Sequence, residues 1–174
     1  MFLGTFQLKL DDKGRLSIPA RFRDILQEKY PSGGDQDGSE LILSWFDRCI
    51  LAYPKTEWLL QAQELTTATA LPNMHRDVRD LKRFIFGNAA ECPVDAQGRV
   101  LVPPLLRAKA ELNGEVIVVG VNDHFEIWNR ERWERYAIDL EERGEEIAQK
   151  LAELCDARIS RPEHTFGTGF PPRL

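Results

Sequence analysis

The sequence lacks long apolar runs, and this absence already excludes one class of protein. No stretch of the 174 residues approaches the roughly 20 consecutive apolar residues of a membrane span. The opening residues Met1-Phe2-Leu3-Gly4 also lack the basic and apolar regions of a signal peptide. We therefore expect a cytoplasmic protein with no membrane partner.

Cysteine and histidine are scarce, with three residues of each. The cysteines are Cys49, Cys92 and Cys155. They form no CxxC pair and their number is odd, so the sequence indicates neither a zinc site nor a disulfide framework. We expect buried free thiols. The histidines are isolated along the chain: His75, His124 and His164. No Ser-His-Asp or metal-ligand spacing is present, so we expect no catalysis, no metal, no cofactor and no small-molecule substrate.

An excess of positive charge is also missing, because 23 Lys and Arg residues face 28 Asp and Glu residues, a net charge of −5. Affinity for DNA comes largely from displacing counterions with Lys and Arg, so this balance argues against nucleic acid at first sight. The charge is unevenly spread, however. Residues 1–30 carry six basic against four acidic residues, whereas residues 130–156 carry five against nine. A protein with one basic and one acidic surface can still bind DNA through the basic one, so the net charge does not exclude DNA binding.

What the sequence does contain is an internal duplication. The segment Asp11–Pro19 returns as Asp95–Pro103, a shift of 84 residues. Each copy continues through a short helical stretch into a second apolar hairpin, at 41–53 in the first half and 116–128 in the second. Such a repeat indicates either two domains or one domain with pseudo-twofold symmetry.

The first copy has the pattern of a two-stranded ribbon. Residues 6–10 and 15–18 alternate between apolar and polar side chains, as half-buried strands do. Gly14 fits the position of positive φ in a hairpin loop of type I turn plus bulge. Lys9, Arg15 and Ser17 then point outward together. Pro19 cannot donate to a ladder, so it ends the strand and begins a short helix.

The number of strands favours a single domain. Each half offers two short hairpins and one short helix, and isolated hairpins are marginally stable. Interleaving the hairpins would satisfy the open edges of both halves. We expect one pseudo-symmetric β-barrel with helices over residues 1–156, with repeat 1 at about 5–54, repeat 2 at about 89–129, and helices following each. Residues 157–174, rich in proline and glycine, are expected to form an extended tail.

Several separated motifs, in order from the first residue to about Trp133, carry a family resemblance. They are Met1–Gly4, the two Asp-x-x-Gly-Arg segments followed by an apolar residue and proline, Tyr53-Pro54-x-x-Glu57-Trp58, and Phe86–Cys92. In these motifs the chain resembles the MraZ family of transcriptional regulators, tandem-repeat members of the wider AbrB/SpoVT family.

The resemblance implies a swapped-hairpin, double-split AbrB-like β-barrel that binds double-stranded DNA. It implies a regulator, usually a repressor, of its own operon at the start of the division and cell-wall gene cluster. It further implies a ring-shaped homo-oligomer that binds closely spaced direct repeats upstream of the promoter and is associated with the nucleoid. The signature Asp-x-x-x-Arg falls here on Asp11/Arg15 and Asp95/Arg99.

The arginines of this signature are the predicted readers of DNA. Arg15 and Arg99 each lie one residue past a turn, where a planar donor fork could reach guanine O6 and N7 or a phosphate. Lys13 and Lys9 are expected to add phosphate contacts that position the ribbon, and so is Arg21.

The aspartates and glycines of the loops are predicted to be structural. Asp11 and Asp95 would close the turns through ion pairs with the arginines, because a carboxylate repels phosphate. Gly14 and Gly98 would supply the turn conformation. An open alternative is that the aspartates aim the arginines.

The two copies are unequal, and competing functions also remain. Lys9, Lys13, Ser17 and Arg21 correspond, at the 84-residue shift, to Pro93, Gln97, Leu101 and Leu105. The first ribbon is therefore expected to supply most phosphate contacts. A toxin-neutralising relative of the same barrel is disfavoured by the duplication within one chain. A non-catalytic oligomeric protein-interaction scaffold is the alternative function, and it predicts no retention on DNA.

Overall fold

Each repeat folds into the same succession of elements in a computed structural model that describes residues 1–31, 39–68 and 75–159. The first repeat comprises β1 (Phe2–Lys9), β2 (Arg15–Ser17), α1 (Ala20–Lys29), β3 (Glu40–Phe46), β4 (Cys49–Pro54) and α2 (Lys55–Ala68). Helix α3 (Arg76–Phe86) leads into the second. That repeat comprises β5 (Ala89–Pro93), β6 (Arg99–Leu101), α4 (Pro104–Lys109), β7 (Glu115–Asn122), β8 (His124–Asn129) and α5 (Arg130–Ile159).

The strands of the two repeats are interleaved. Six of them form an antiparallel sheet in the order β1-β7-β8-β4-β3-β5, and β2 pairs with β6 in a separate two-stranded ribbon. Exchanging the repeats turns the sheet order into its own reverse, as the predicted pseudo-twofold symmetry requires. The prediction of a mixed β and α fold from two repeats is confirmed. The hydrogen-bonded strands form an open sheet with β1 and β5 at its edges, where we expected a closed barrel.

The second hairpin of each repeat forms as predicted. In β3–β4, Leu43 lies opposite Ala52, and in β7–β8, Val118 lies opposite Ile127. The β3–β4 turn places Asp47 at φ 44° and Arg48 at φ 69°. Two consecutive positive φ angles define a type I′ turn, whose twist matches that of the flanking strands.

The first predicted hairpin is wrong in its pairing. β1 meets β2 only at the single bridge between Leu10 and Leu16, and it pairs along its length with β7. The turn at Gly14 is retained, but the two strands then separate and each finds a partner in the other repeat. β2 has three residues and could form few ladder hydrogen bonds with β1, whereas β7 pairs with all eight residues of β1.

The short helices begin where the prolines predict. Pro19 and Pro103 occupy the N-cap positions of α1 and α4. A missing N–H costs nothing there, because the first N–H groups of a helix have no partner within it. The inner face of α1 buries Phe22 and Leu26, and α4 buries Leu106.

The main core draws on both repeats. Phe22 of α1 lies 5.2 Å, between ring centroids, from Phe2 of β1 and 5.4 Å from Phe125 of β8. Leu16 of β2 and Val100 of β6 are fully buried in the same cluster. Because one repeat contributes only part of this cluster, neither repeat can bury its apolar face alone.

The chain divides into two compact units, Met1–Trp133 and the remainder from Glu134. In the described part of the second unit, Leu151 and Leu154 of α5 are 56% and 62% exposed. α5 continues to Ile159, three residues beyond the expected boundary. The predicted division into a body at 1–156 and a tail at 157–174 stays a prediction, since residues 160–174 lie outside the described ranges.

Cys49 and Cys92 are free and buried, as expected, whereas the side chain of Cys155 lies outside the described residues. Burial raises the pKa of the Cys92 thiol to about 11 and that of Cys49 further still. Across the described ranges no helix has both the length and the apolar character needed to cross a membrane.

Candidate nucleic-acid interface

The first Asp-x-x-Gly-Arg loop is organised by one carboxylate. Asp11 Oδ1 accepts hydrogen bonds from the backbone N–H groups of Lys13 and Arg15, both at 2.9 Å. Asp11 Oδ2 accepts the Arg15 Nε donor at 2.6 Å. Gly14 donates its N–H to the Asp11 carbonyl at 2.8 Å and has φ +80°, a conformation that disfavours any side chain. The aspartate thus closes the turn and holds the arginine at the same time.

The second loop repeats this geometry. Asp95 Oδ1 accepts the backbone N–H groups of Gln97 at 3.0 Å and Arg99 at 2.9 Å. Asp95 Oδ2 accepts Arg99 Nε at 2.9 Å, and Gly98 has φ +73°. In both loops the aspartate thus accepts hydrogen bonds from the backbone of the turn and from Nε of its arginine, and the glycine has a positive φ.

Hydrogen bonding keeps both aspartates ionised. The backbone N–H of Arg15 is the main cause that lowers the pKa of Asp11 below its ordinary 3.8, and the Arg15 side chain adds to it. For Asp95, the Arg99 side chain is the main cause of the lowered pKa. At neutral pH each Asp/Arg pair is therefore a fixed and locally neutral unit.

Pairing of β2 with β6 brings the two arginines to one surface. Arg15 lies opposite Leu101, and Ser17 lies opposite Arg99, so all four side chains share one face of the ribbon. The opposite face carries Leu16 and Val100, which are buried. Sequence reasoning placed the arginines on two separate ribbons. In the structure they are diagonal neighbours on a single ribbon, about 7–8 Å apart at the backbone.

The two guanidinium groups differ in how many donors they have left. Their side chains are equally accessible, 30% exposed for Arg15 and 29% for Arg99. Within the described residues, neither Nη group of Arg15 has a partner, whereas Arg99 Nη2 donates to Gln97 Oε1 at 2.9 Å. Arg15 can therefore present a complete pair of Nη donors to a ligand, and Arg99 only part of one.

The other predicted DNA-contacting residues are exposed but lie on different elements. Lys13 is at the loop tip, Arg21 is in the first turn of α1, and Lys9 is in β1 opposite Glu115 of β7. In the second repeat, Leu105 replaces Arg21 and is 62% exposed, and Leu101 replaces the outward-facing Ser17 and is 51% exposed.

Sequence reasoning missed two arginines beside the loops. A Cβ atom built on Gly14 would lie 2.4 Å from Arg107 Cζ of α4, and one built on Gly98 would lie 2.1 Å from Arg23 Cδ of α1. Arg23 Nη1 also donates to the Gln97 carbonyl at 3.4 Å. Each loop is therefore covered by an arginine of the opposite repeat. The signal was available, because 107 and 23 differ by the same 84 residues as the loops.

A model of the MraZ family, described as "MraZ protein, putative antitoxin-like", matches residues 1–84 and, a second time, residues 85–155. The chain belongs to the MraZ family. The two matches of the MraZ family model confirm the two repeats inferred from the sequence.

Curated members of the MraZ family are similar over nearly their whole length. "Transcriptional regulator MraZ" from Roseiflexus castenholzii is 40% identical over 154 residues, which cover 88% of this chain and 99% of the relative. The proteins of the same name from Desulforamulus reducens and Pediococcus pentosaceus are 40% and 39% identical over the same shares of each chain.

The histidine of the second hairpin has a structural environment. His124 begins β8 and is 8% exposed. Its ring stacks on Tyr53 at 4.2 Å, and its Nδ1 lies 2.8 Å from Asp123 Oδ1. Within the described ranges, no group of three or more His, Cys, Asp or Glu residues is placed to hold a metal ion.

Proposed function

We propose that the chain is a sequence-specific DNA-binding transcriptional regulator and that the β2–β6 ribbon is its reading surface. One observation supports this most directly. Two guanidinium groups, each held by an aspartate of its own loop, share the exposed face of one two-stranded antiparallel ribbon. A ribbon of this kind fits the major groove of B-form DNA.

The loop geometry supports recognition of DNA through side chains. The backbone N–H groups of Lys13, Gly14 and Arg15 are all used inside the loop. They are therefore not free to bind phosphate. With respect to the described part of the chain, the Nη donors of Arg15 are free, and a guanidinium fork matches guanine O6 and N7. Because Nε is held by Asp11, the fork is oriented before DNA arrives, which lowers the entropy lost on binding.

The two halves of the reading surface are proposed to contribute unequally. Lys13, Lys9 and Arg21 belong to the same repeat as Arg15 and would contact phosphates, although Lys9 lies opposite Glu115 in the ladder. The corresponding positions of the second repeat carry Gln97, Pro93 and Leu105, which add no charge.

The finer proposals concern the fold, the assembly and the target, and they rest on the family resemblance of the motifs, whereas the printed name of the relatives supports the role of transcriptional regulator alone. The open sheet and the ribbon would enclose the shared core as a swapped-hairpin AbrB-like barrel. The regulator would act, usually as a repressor, on its own operon in the division and cell-wall gene cluster. It would bind direct repeats upstream of the promoter and associate with the nucleoid in the cytoplasm.

Assembly into a ring is proposed because one chain alone carries little basic charge. With a net charge of −5, a single ribbon should bind DNA weakly at physiological salt. Several ribbons on one ring would act at high effective concentration on successive repeats. Apolar surface is available for such contacts, since Leu59 and Leu60 of α2 and Leu151 and Leu154 of α5 are all more than half exposed.

The test compares wild type, Arg15→Ala and Arg99→Ala on a duplex of the upstream region, by gel shift and fluorescence anisotropy across salt concentrations. We expect steep salt dependence for wild type. We expect a larger loss for Arg15→Ala, of about 1–3 kcal/mol, because a well-made bidentate contact to a base contributes that much.

The matched control is Arg48→Ala, which removes the same side chain from the exposed β3–β4 turn. It should leave affinity nearly unchanged. Equal losses for Arg15→Ala and Arg99→Ala would contradict the inequality of the two halves. Absence of wild-type retention on this DNA would refute the regulator and favour the protein-interaction scaffold.

A further inference from the structure

Arg23 and Arg107 form a reciprocal pair across the two repeats. Arg107 of α4 covers the Gly14 loop, and Arg23 of α1 covers the Gly98 loop. The Nε atom of each is buried and has no hydrogen-bond partner among the residues that the structure describes. A buried donor without a partner is costly, so this arrangement, present twice, calls for an explanation.

The charges of these arginines are also uncompensated. Arg15 and Arg99 are each neutralised by an aspartate of their own loop. Within the described ranges, Arg107 and Arg23 form no ion pair, and the one polar partner of Arg23 is the uncharged Gln97 carbonyl. A half-buried cation of this kind is ordinarily paired with an anion. The net positive charge next to each loop therefore comes from the opposite repeat.

The position of these cations matches one ligand in particular. Gly14 and Gly98 immediately precede Arg15 and Arg99 in the loops, so each uncompensated guanidinium lies beside a proposed base-reading arginine. DNA carries a phosphate next to every base, and arginine binds phosphate through charge-assisted hydrogen bonds. The loop itself cannot provide this contact through Gly14, because its N–H is already donated to Asp11.

We propose that Arg23 and Arg107 are two further phosphate-binding residues, each of which supplies the backbone contact for the base-reading arginine of the other repeat. This inference rests on the DNA-binding function proposed above. A complete half-site then consists of an Asp/Arg pair from one repeat and a cation from the other. Neither repeat contains a complete half-site on its own.

The experiment measures binding of Arg23→Gln and Arg107→Gln to two duplexes, the upstream region and a scrambled sequence of equal length, across salt concentrations. A phosphate contact is independent of sequence. Each substitution should therefore weaken both duplexes by the same factor and lower the slope of log affinity against log salt by about 0.9 for each phosphate that is no longer bound. Arg15→Ala should instead reduce the preference for the upstream duplex.

Two controls separate a phosphate contact from a purely structural role. Arg23→Lys and Arg107→Lys keep the charge and should retain most of the salt slope. Lys29→Gln removes an exposed cation from the last turn of the same helix as Arg23 and should leave the slope unchanged. Thermal unfolding of each variant shows whether the loops still pack.

The outcomes are distinguishable. If both glutamine variants bind DNA with the affinity and the salt slope of wild type, this inference is overturned and the proposed regulator function stands. The inference would also be overturned if the Lys and Gln variants lose affinity equally and unfold at lower temperature, since the arginines would then only fasten the loops. Stabilisation of wild type by inorganic phosphate at constant ionic strength, lost in the glutamine variants, would assign the site to free phosphate. Absence of DNA binding by the wild-type protein would refute the proposed function itself.

Discussion

Substitution of the loop glycines by alanine separates backbone strain from the cross-repeat contact. Gly14 has φ +80°, and a residue with a Cβ atom in the left-handed region costs roughly 1–2 kcal/mol. Its Cβ atom would also lie 2.4 Å from Arg107 Cζ, so the guanidinium must swing away. The Cβ of Gly98→Ala would lie 2.1 Å from Arg23 Cδ, in the middle of a side chain, which has less freedom to move.

Two other glycines serve as matched controls for this prediction. Gly114 has φ +72° but no heavy atom within 4 Å of its built Cβ, so Gly114→Ala should show the cost of the backbone alone. Gly144 lies in α5 with open space around it and no positive φ, so Gly144→Ala should not destabilise and should gain up to about 1 kcal/mol.

The assay is thermal and urea unfolding of the four variants at one protein concentration, because assembly makes the midpoint concentration-dependent. We expect stability to fall in the order Gly144, Gly114, Gly14, Gly98. For a chain of this length about 1 kcal/mol corresponds to roughly 2–4 °C. If Gly14→Ala and Gly114→Ala are equally destabilised, Arg107 contributes nothing to the loop. If Gly14→Ala is neutral, the positive φ is not required.

Two further predictions follow from the pKa shifts. The carboxyls of Asp11 and Asp95 should titrate below 3.8 in carbon-detected NMR of the native protein, because Arg15 and Arg99 stabilise their ionised forms. The stability that these ionised carboxylates contribute is then complete above pH 3.8 and is lost as the pH falls through their lowered native pKa values. A native midpoint at or above 3.8 would contradict the loop geometry. In a Cys155→Ser background at pH 8, Cys49 and Cys92 should react with a thiol reagent only after denaturant is added, since burial raises the pKa of Cys92 to about 11. Rapid reaction of the folded protein would show that these thiols are accessible.

The sequence was sufficient for the local features of this fold. The glycine turns, the proline-initiated helices and the second hairpins depend on backbone preferences of a few adjacent residues, and all of them are present. The aspartate and arginine of each loop were found from the duplicated segment together with the family resemblance, and their contact is local, because the two residues lie within five residues of chain.

The pairing partners could not be obtained in the same way. Alternation at 6–10 and 15–18 indicates strands, but it does not say that β1 prefers β7, more than 100 residues away. The same reason explains why Arg23 and Arg107 were missed. Each contacts a loop of the opposite repeat, and only the strand exchange brings helix and loop together. The arginine at the equivalent position of each repeat was the sequence signal for this contact.

Covalent linkage of the two repeats has a consequence for the polarity of recognition. Two identical chains joined by a twofold axis must present identical faces, and such a dimer matches a palindrome. In this chain the equivalents of Lys13 and Ser17 are Gln97 and Leu101, so the ribbon has distinguishable ends. As the reading surface proposed above, a ribbon with distinguishable ends would dock on a duplex in one direction only. Copies bound side by side would then all have the same orientation along the DNA. This orientation matches sites arranged head to tail and does not match inverted sites.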